Sequence, residues 1–115
     1  MNTFYRYNAK ILRVVDGDTV DADVDLGFHV MMKIRFRLSG FDAPETYRPK
    51  SDDEKQAGIK ATDTLKKMIE NKHVIIESNK FGKYRYLAKI YLSDDDEISI
   101  NEHMITMGHI KKENY

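Results

Sequence analysis

Apolar residues recur along this chain with two different periods, and the places where one gives way to the other divide it into elements. From Ala9 to Val15 short, mostly β-branched side chains are interrupted by Lys10 and Arg13 and stop at Asp16-Gly17, which predicts a strand running into a tight turn. Beyond the turn the alternation is strict. Val20, Ala22, Val24 and Leu26 fall on one face and Thr19, Asp21, Asp23 and Asp25 on the other, as in a half-buried strand. After Gly27 a third strand carries Ile34, Phe36 and Leu38 on one side and Lys33, Arg35 and Arg37 on the opposite side. Three strands in succession with short links predict an antiparallel meander.

The period then becomes helical. Pro44 and Pro49 bracket a loop, and Ser51 to Glu54 have capping-box spacing, in which the Ser51 hydroxyl and the Glu54 side chain each satisfy the other's free amide. The helix expected from there to Asn71 has one apolar stripe of Ala57, Ala61, Leu65, Met68 and Ile69. Val74 to Ile76 predict a fourth strand, Phe81 to Arg85 a loop, and Leu87 to Leu92 a fifth strand. Asp94 to Glu97 read as a solvated turn, and Ser99-Ile100-Asn101-Glu102 repeats the capping-box spacing at the head of a short helix ending near Gly108. A helix between strands three and four of a five-stranded sheet, with a short C-terminal helix, is the α+β layout of the oligonucleotide/oligosaccharide-binding barrel (OB-fold). Such a barrel closes on itself and so removes its sheet edges.

Composition narrows function more than fold. A chain of 115 residues suits one domain, 1–115, burying roughly two-thirds of the surface of its unfolded form. Nineteen basic side chains balance 19 acidic ones, so a nucleic-acid partner has to be gripped by a local basic cluster or through a bound metal rather than by bulk charge. The absence of cysteine excludes disulfides, thiolate zinc sites and a cysteine nucleophile. The N-terminus lacks the basic start and apolar core of a secretory signal, and no apolar run is long enough to cross a bilayer. The expectation is a cytoplasmic chain with no membrane partner.

Several candidate sites weaken on inspection. Asp21 to Gly27 begins like a calcium-binding EF-hand loop, but its glycine falls at the seventh position and Met32 stands where a bidentate glutamate is required. The four histidines share no zinc-ligand spacing, and Met31, Met32, Met104 and Met107 are expected to fill gaps in the core. Asp18, Asp42 and Glu45 differ because of their company: Arg37 precedes Asp42 on the polar face of strand three, and Arg85 opens strand five. Each acid alone reads as turn chemistry. Together they supply what phosphodiester cleavage needs, namely oxygen ligands for a cation, a carboxylate near the attacking water, and guanidinium donors for the phosphoryl oxygens.

These residues also carry a family resemblance. Val15-Asp16-Gly17-Asp18-Thr19-Val20, Phe36-Arg37-Leu38, Asp42-Ala43-Pro44-Glu45-Thr46 and Tyr84-Arg85 before Leu87-Ala88 resemble the staphylococcal nuclease (thermonuclease) family. Supporting matches run through Lys66 to Asn71, Asn101-Glu102 and Gly108. The resemblance implies an OB-fold barrel and a calcium-dependent nuclease cleaving single-stranded or locally melted DNA and RNA with little sequence preference, leaving 3′-phosphate ends. It implies Asp18 and Asp42 as calcium carboxylates, the Ala43 carbonyl as a further ligand, Glu45 as general base, and Arg37 and Arg85 as phosphate ligands. Asp16 would stand behind the metal ligands and Thr19 would hold the turn. The family usually has threonine at the place of Ala43 and reads Lys-Tyr-Gly-Arg where this chain has Gly82-Lys83-Tyr84-Arg85; its nucleotide-facing tyrosines are not matched by motif, Tyr115 being the one candidate counterpart. A monomer is expected. The alternative is a non-catalytic barrel that binds nucleic acid or a protein partner.

Overall fold

A computed structural model describes residues 5–78 and 85–112. Its elements are β1 (Arg6–Asp16), β2 (Thr19–Asp25), β3 (Met31–Leu38), α1 (Asp52–Ile69), β4 (His73–Glu77), β5 (Tyr86–Tyr91) and α2 (Ile100–Thr106). The strands close into a barrel in the order β1-β2-β3-β5-β4. All pairs are antiparallel except β3 with β5, which α1 and β4 separate in the chain. This is the OB-type α+β barrel with two helices that the element order predicts.

One core fills it. Ile11, Val20, Ala22, Val24, Phe36 and Leu38 from the meander meet Ile76, Ala88 and Ile90, with Ala61, Leu65 and Ile69 of α1 and Ile100 and Met104 of α2 packed against them. Register shifts interrupt β1 between Ile11 and Arg13 and between Val14 and Asp16, and bulges of this kind bend a strand around a barrel. The Val14 amide donates to Glu70 Oε2 at 2.9 Å, so a side chain from the end of α1 satisfies it. Asn101 is a second such pin, donating to the carbonyls of Ser39 and Ala88 and accepting from the Ile90 amide.

The helices depart from expectation in instructive ways. Ser51 caps α1, accepting the Glu54 amide at 3.1 Å, but the Glu54 carboxylate does not return to Ser51. It accepts from the amides of Lys50 at 2.6 Å and Glu45 at 3.5 Å. The buried stripe of α1 is accordingly Glu54, Gly58, Ala61, Leu65 and Ile69, with Gly58 rather than Ala57 turned inward. Ser99 caps α2 in the same one-way fashion, and Gly108, at φ 82°, ends it.

Met31, Met32 and Met107 do not fill the core; of the four methionines expected there, Met104 alone is buried. β3 joins β5 only from Phe36 onward, and its first three residues, Met31 to Lys33, are exposed. There Met31 is 53% exposed and Met32 49%, beside a hairpin tip on which Phe28 is 98% exposed. Phe81 to Tyr84, the predicted loop before Arg85, and Tyr115 lie outside the described residues. No described helix is long and apolar enough to cross a membrane.

Candidate active site

The β1–β2 turn and the end of β3 are brought side by side by strand pairing. Thr19 stands opposite Arg37, and the Leu38 amide donates to the Asp18 carbonyl at 2.7 Å. A Cβ on Gly17 would lie 2.8 Å from the Ala61 Cβ and 2.9 Å from the Ala43 Cβ. Glycine is therefore needed in this turn for space, since it lets the 42–43 loop and α1 close over it.

That closure buries Asp18 among donors. Its Oδ2 accepts from the Ala43 amide at 2.9 Å and from Arg37 Nη2 at 3.2 Å, and its Oδ1 accepts from the Thr19 hydroxyl at 3.0 Å. The same Nη2 donates to Asp42 Oδ1 and, at 3.3 Å, to the Phe41 carbonyl. Two carboxylates far apart in the chain thus converge on one cationic nitrogen. Ala43 meets Asp18 through its amide, and the Asp42 carbonyl accepts from the Lys111 amide at 2.7 Å.

Crowding of negative charge splits the two turn acids. Burial, together with the hydrogen bond and charge of Asp18, pushes the Asp16 carboxyl up to about 6. Burial also opposes ionisation of Asp18, but hydrogen bonds from Asp16 and the Ala43 amide and the Arg37 charge outweigh it and hold the group below the usual carboxylate range. Asp16 supports Asp18 further by accepting its amide at 3.1 Å.

Glu45 is held differently. Its side chain is exposed, while its main chain lies against α1, where a Cβ on Gly58 would come within 2.8 Å of the Pro44 carbonyl and 3.0 Å of the Glu45 carbonyl. Beneath the same loop the buried Glu54 carboxylate takes the Lys50 and Glu45 amides, with Lys111 Nζ 3.7 Å away. Those amides, first the one from Lys50, keep Glu54 ionised below its ordinary range despite burial. Sequence reading missed Gly58 and the role of Glu54. The available signal for the first was a glycine in the middle of an otherwise regular helix.

Arg85 sits on the outer side just before β5, exposed, and among the described residues no ion pair or hydrogen bond joins it to the cluster. Arg35, two residues before Arg37 on the same face, is engaged elsewhere, with Nε 2.7 Å from Asp21 Oδ1 and Nη2 3.0 Å from Asp21 Oδ2. The structure therefore brings together Asp18, Arg37, Asp42 and the Ala43 amide and sets Glu45 on the adjoining loop, while among the described residues Arg85 makes no bond to them. Among the described residues no three His, Asp or Glu side chains form a ready metal cage.

Comparison with known proteins bears on the same residues. The model of the staphylococcal nuclease homologue family matches residues 35–114, a span that includes Arg37, Asp42, Glu45 and Arg85 but not the Asp16–Thr19 turn. The chain is 34% identical over 89 residues to a thermonuclease of Staphylococcus hyicus, covering 75% of this chain and 49% of that protein. It is 34% identical over 88 residues to a thermonuclease of Staphylococcus intermedius, covering 74% and 49%. An uncharacterised protein of Methanocaldococcus jannaschii is 33% identical over 132 aligned residues, which covers 96% of this chain and 61% of that protein. The chain thus spans from about half to three-fifths of the length of these curated relatives.

Proposed function

Because the chain belongs to the staphylococcal nuclease homologue family, we propose that the Asp18–Arg37–Asp42 cluster is the centre of a calcium-dependent phosphodiesterase acting on single-stranded or locally melted DNA and RNA. The observation that carries this reading is the convergence of two acids on one guanidinium nitrogen, beside an exposed glutamate. A point that two carboxylates and the Phe41 carbonyl already keep for positive charge fits a hard divalent cation. Asp18 and Asp42 would hold calcium there, with the Ala43 carbonyl as a further ligand. The bound ion would supply Lewis-acid polarisation of a phosphoryl oxygen.

The remaining steps belong to the protein. Glu45 accepts a proton from water as its oxygen forms a bond to phosphorus, the bond to the leaving 5′-oxygen breaks, and that oxygen is protonated from solvent, leaving a 3′-phosphate end. Arg37 donates to the non-bridging oxygens, where negative charge grows. Its Nη2 rests on Asp18, Asp42 and the Phe41 carbonyl, and a cation held by the two acids would free it to turn to the phosphate. Arg85 is the second donor and reaches the phosphate once substrate is bound, since such contacts commonly tighten only in the complex.

A binding-only barrel is the second reading. It is favoured by the neutralisation of Arg37 by Asp18 and Asp42 and by the isolation of Arg85 among the described residues. Incubation of single-stranded DNA with calcium, with magnesium and with a strong chelator separates the two. The enzyme cuts in calcium and stops in chelator, leaving 3′-phosphate ends, whereas intact DNA in every lane leaves binding alone.

A further inference from the structure

A cleft of about 470 Å³ opens on the far side of Asp42, walled by Gly40 to Asp42 and by the chain that follows α2. Phe41, Ile105 and Ile110 line it with apolar surface, and Lys50, Lys111 and Lys112 rim it. Lys111 is 3.7 Å from the buried Glu54 carboxylate, but among the described residues no ion pair engages Lys50 or Lys112, both exposed. The protein has no net charge, and Arg37 and Arg35 are already paired with acids. Local positive charge next to the cluster is concentrated here. Exposed isoleucines beside Lys50 and Lys112, which make no ion pair among the described residues, suit a ligand that alternates flat apolar faces with phosphates, since bases stack on apolar and aromatic surface while lysines track the backbone. The volume lies within the range of about 300 to 1,000 Å³ typical of ligand clefts.

The cleft is also bolted to the reaction centre. The Lys111 amide donates to the Asp42 carbonyl, and Asp42 in turn accepts from Arg37, so one residue forms both the cleft wall and part of the cluster. We propose that this cleft seats the nucleotide neighbouring the scissile phosphate of a single-stranded substrate, with Lys50 and Lys112 binding its phosphates and Phe41, Ile105 and Ile110 receiving a base. The assignment rests on the nucleic-acid reading above and adds to it a location for the strand beyond the cleaved bond.

Lys50→Glu/Lys112→Glu tests it, compared with the unaltered chain by fluorescence anisotropy on a labelled ten-nucleotide single-stranded DNA in chelator, where no cleavage interferes. Affinity is expected to fall about tenfold, and the slope of log affinity against log salt to shrink by about 1.4, or about 0.7 for each phosphate that a lysine no longer neutralises. In calcium, hydrolysis of bis(p-nitrophenyl) phosphate, too small to reach the cleft, should proceed unchanged. Equal oligonucleotide affinity and salt slope in the two proteins overturn the proposal. So does failure of the unaltered chain to bind the oligonucleotide, or an equal loss on the small ester, which would place the lysines at the reaction centre itself. Binding that disappears in the variant when neither protein hydrolyses anything supports the cleft and rejects the enzyme.

Discussion

The two flanks of the candidate site are built on different plans. On one, Asp18, Thr19, Arg37, Asp42 and the Ala43 amide are joined by hydrogen bonds before any ligand arrives. On the other, Glu45 and Arg85 have exposed side chains, and what is fixed at Glu45 is the main chain, pressed on Gly58 and tied to Glu54. The difference teaches where energy is stored. Removing a member of the first flank leaves a buried charge short of partners and should disturb stability together with function. Among the described residues the exposed side chains of the second flank make no hydrogen bond or ion pair to the cluster, so their loss should appear in the chemistry alone.

The largest expected effect is at Glu45. Glu45→Gln keeps the shape and removes the proposed base, so turnover on single-stranded DNA should fall by about 10²- to 10⁴-fold. Its melting temperature should match that of the unaltered chain, and a shifted melting curve would break the distinction between the flanks.

Gly58→Ala probes the main-chain part of the same flank. In an exposed helix interior this exchange gains about 1 kcal/mol, because alanine is the better helix former. Here the added Cβ meets two backbone carbonyls, so denaturant unfolding should instead show a loss of about 1 to 3 kcal/mol from overpacking. Turnover should fall with it as the Glu45 loop is pushed away, whereas a more stable and fully active variant would show that the loop yields freely.

The smallest effect concerns pH on the bonded flank. Asp16, raised to about 6 in the folded chain, favours folding most when protonated; its contribution is present below the ordinary carboxylate value near 3.8 and is lost as pH rises through about 6. Asp18, held low, contributes in the opposite direction, its share being present at neutral pH and lost on acidification. Melting curves in chelator from pH 4 to 7 should show Asp16→Asn gaining on the unaltered chain as pH rises. Parallel curves would mean that burial and the neighbouring Asp18 do not raise Asp16 in the folded chain.

Much of this was legible in the chain because period and punctuation agreed. The alternation from Val20 to Val24 and from Lys33 to Leu38 matched the buried faces, and with it put Arg37 rather than a core residue beside the Asp16–Thr19 turn, whereas at the ends Thr19, expected outward, is buried and Leu26, expected inward, is exposed. Ser51 and Ser99 marked both helix starts. Other features were not readable from periodicity. Hydropathy ranks glutamate and glycine among outward-facing residues, so Glu54 and Gly58 on the buried stripe of α1 were hidden by the very interactions that place them there. Met31 and Met32 misled for the converse reason. Met32 continues the inward-facing alternation of Ile34, Phe36 and Leu38 past the point where the barrel has an interior to offer, and Met31, one residue away, falls on the opposite face with Lys33 and Arg35.

Arg35 and Arg37 share one face of β3, each paired with an acid, yet the Arg35 side chain is 54% exposed and that of Arg37 23%. Cleavage rates on single-stranded DNA in calcium for Arg37→Ala and Arg35→Ala, each beside the unaltered chain, therefore test the central claim most directly. The account predicts a loss of about 10²- to 10³-fold for Arg37→Ala, as for removal of one preorganised donor. For Arg35→Ala it predicts near-normal turnover and a stability change of at most about 1 kcal/mol, as for an exposed ion pair. Equal rates in the two variants, or full activity in Arg37→Ala, would contradict it.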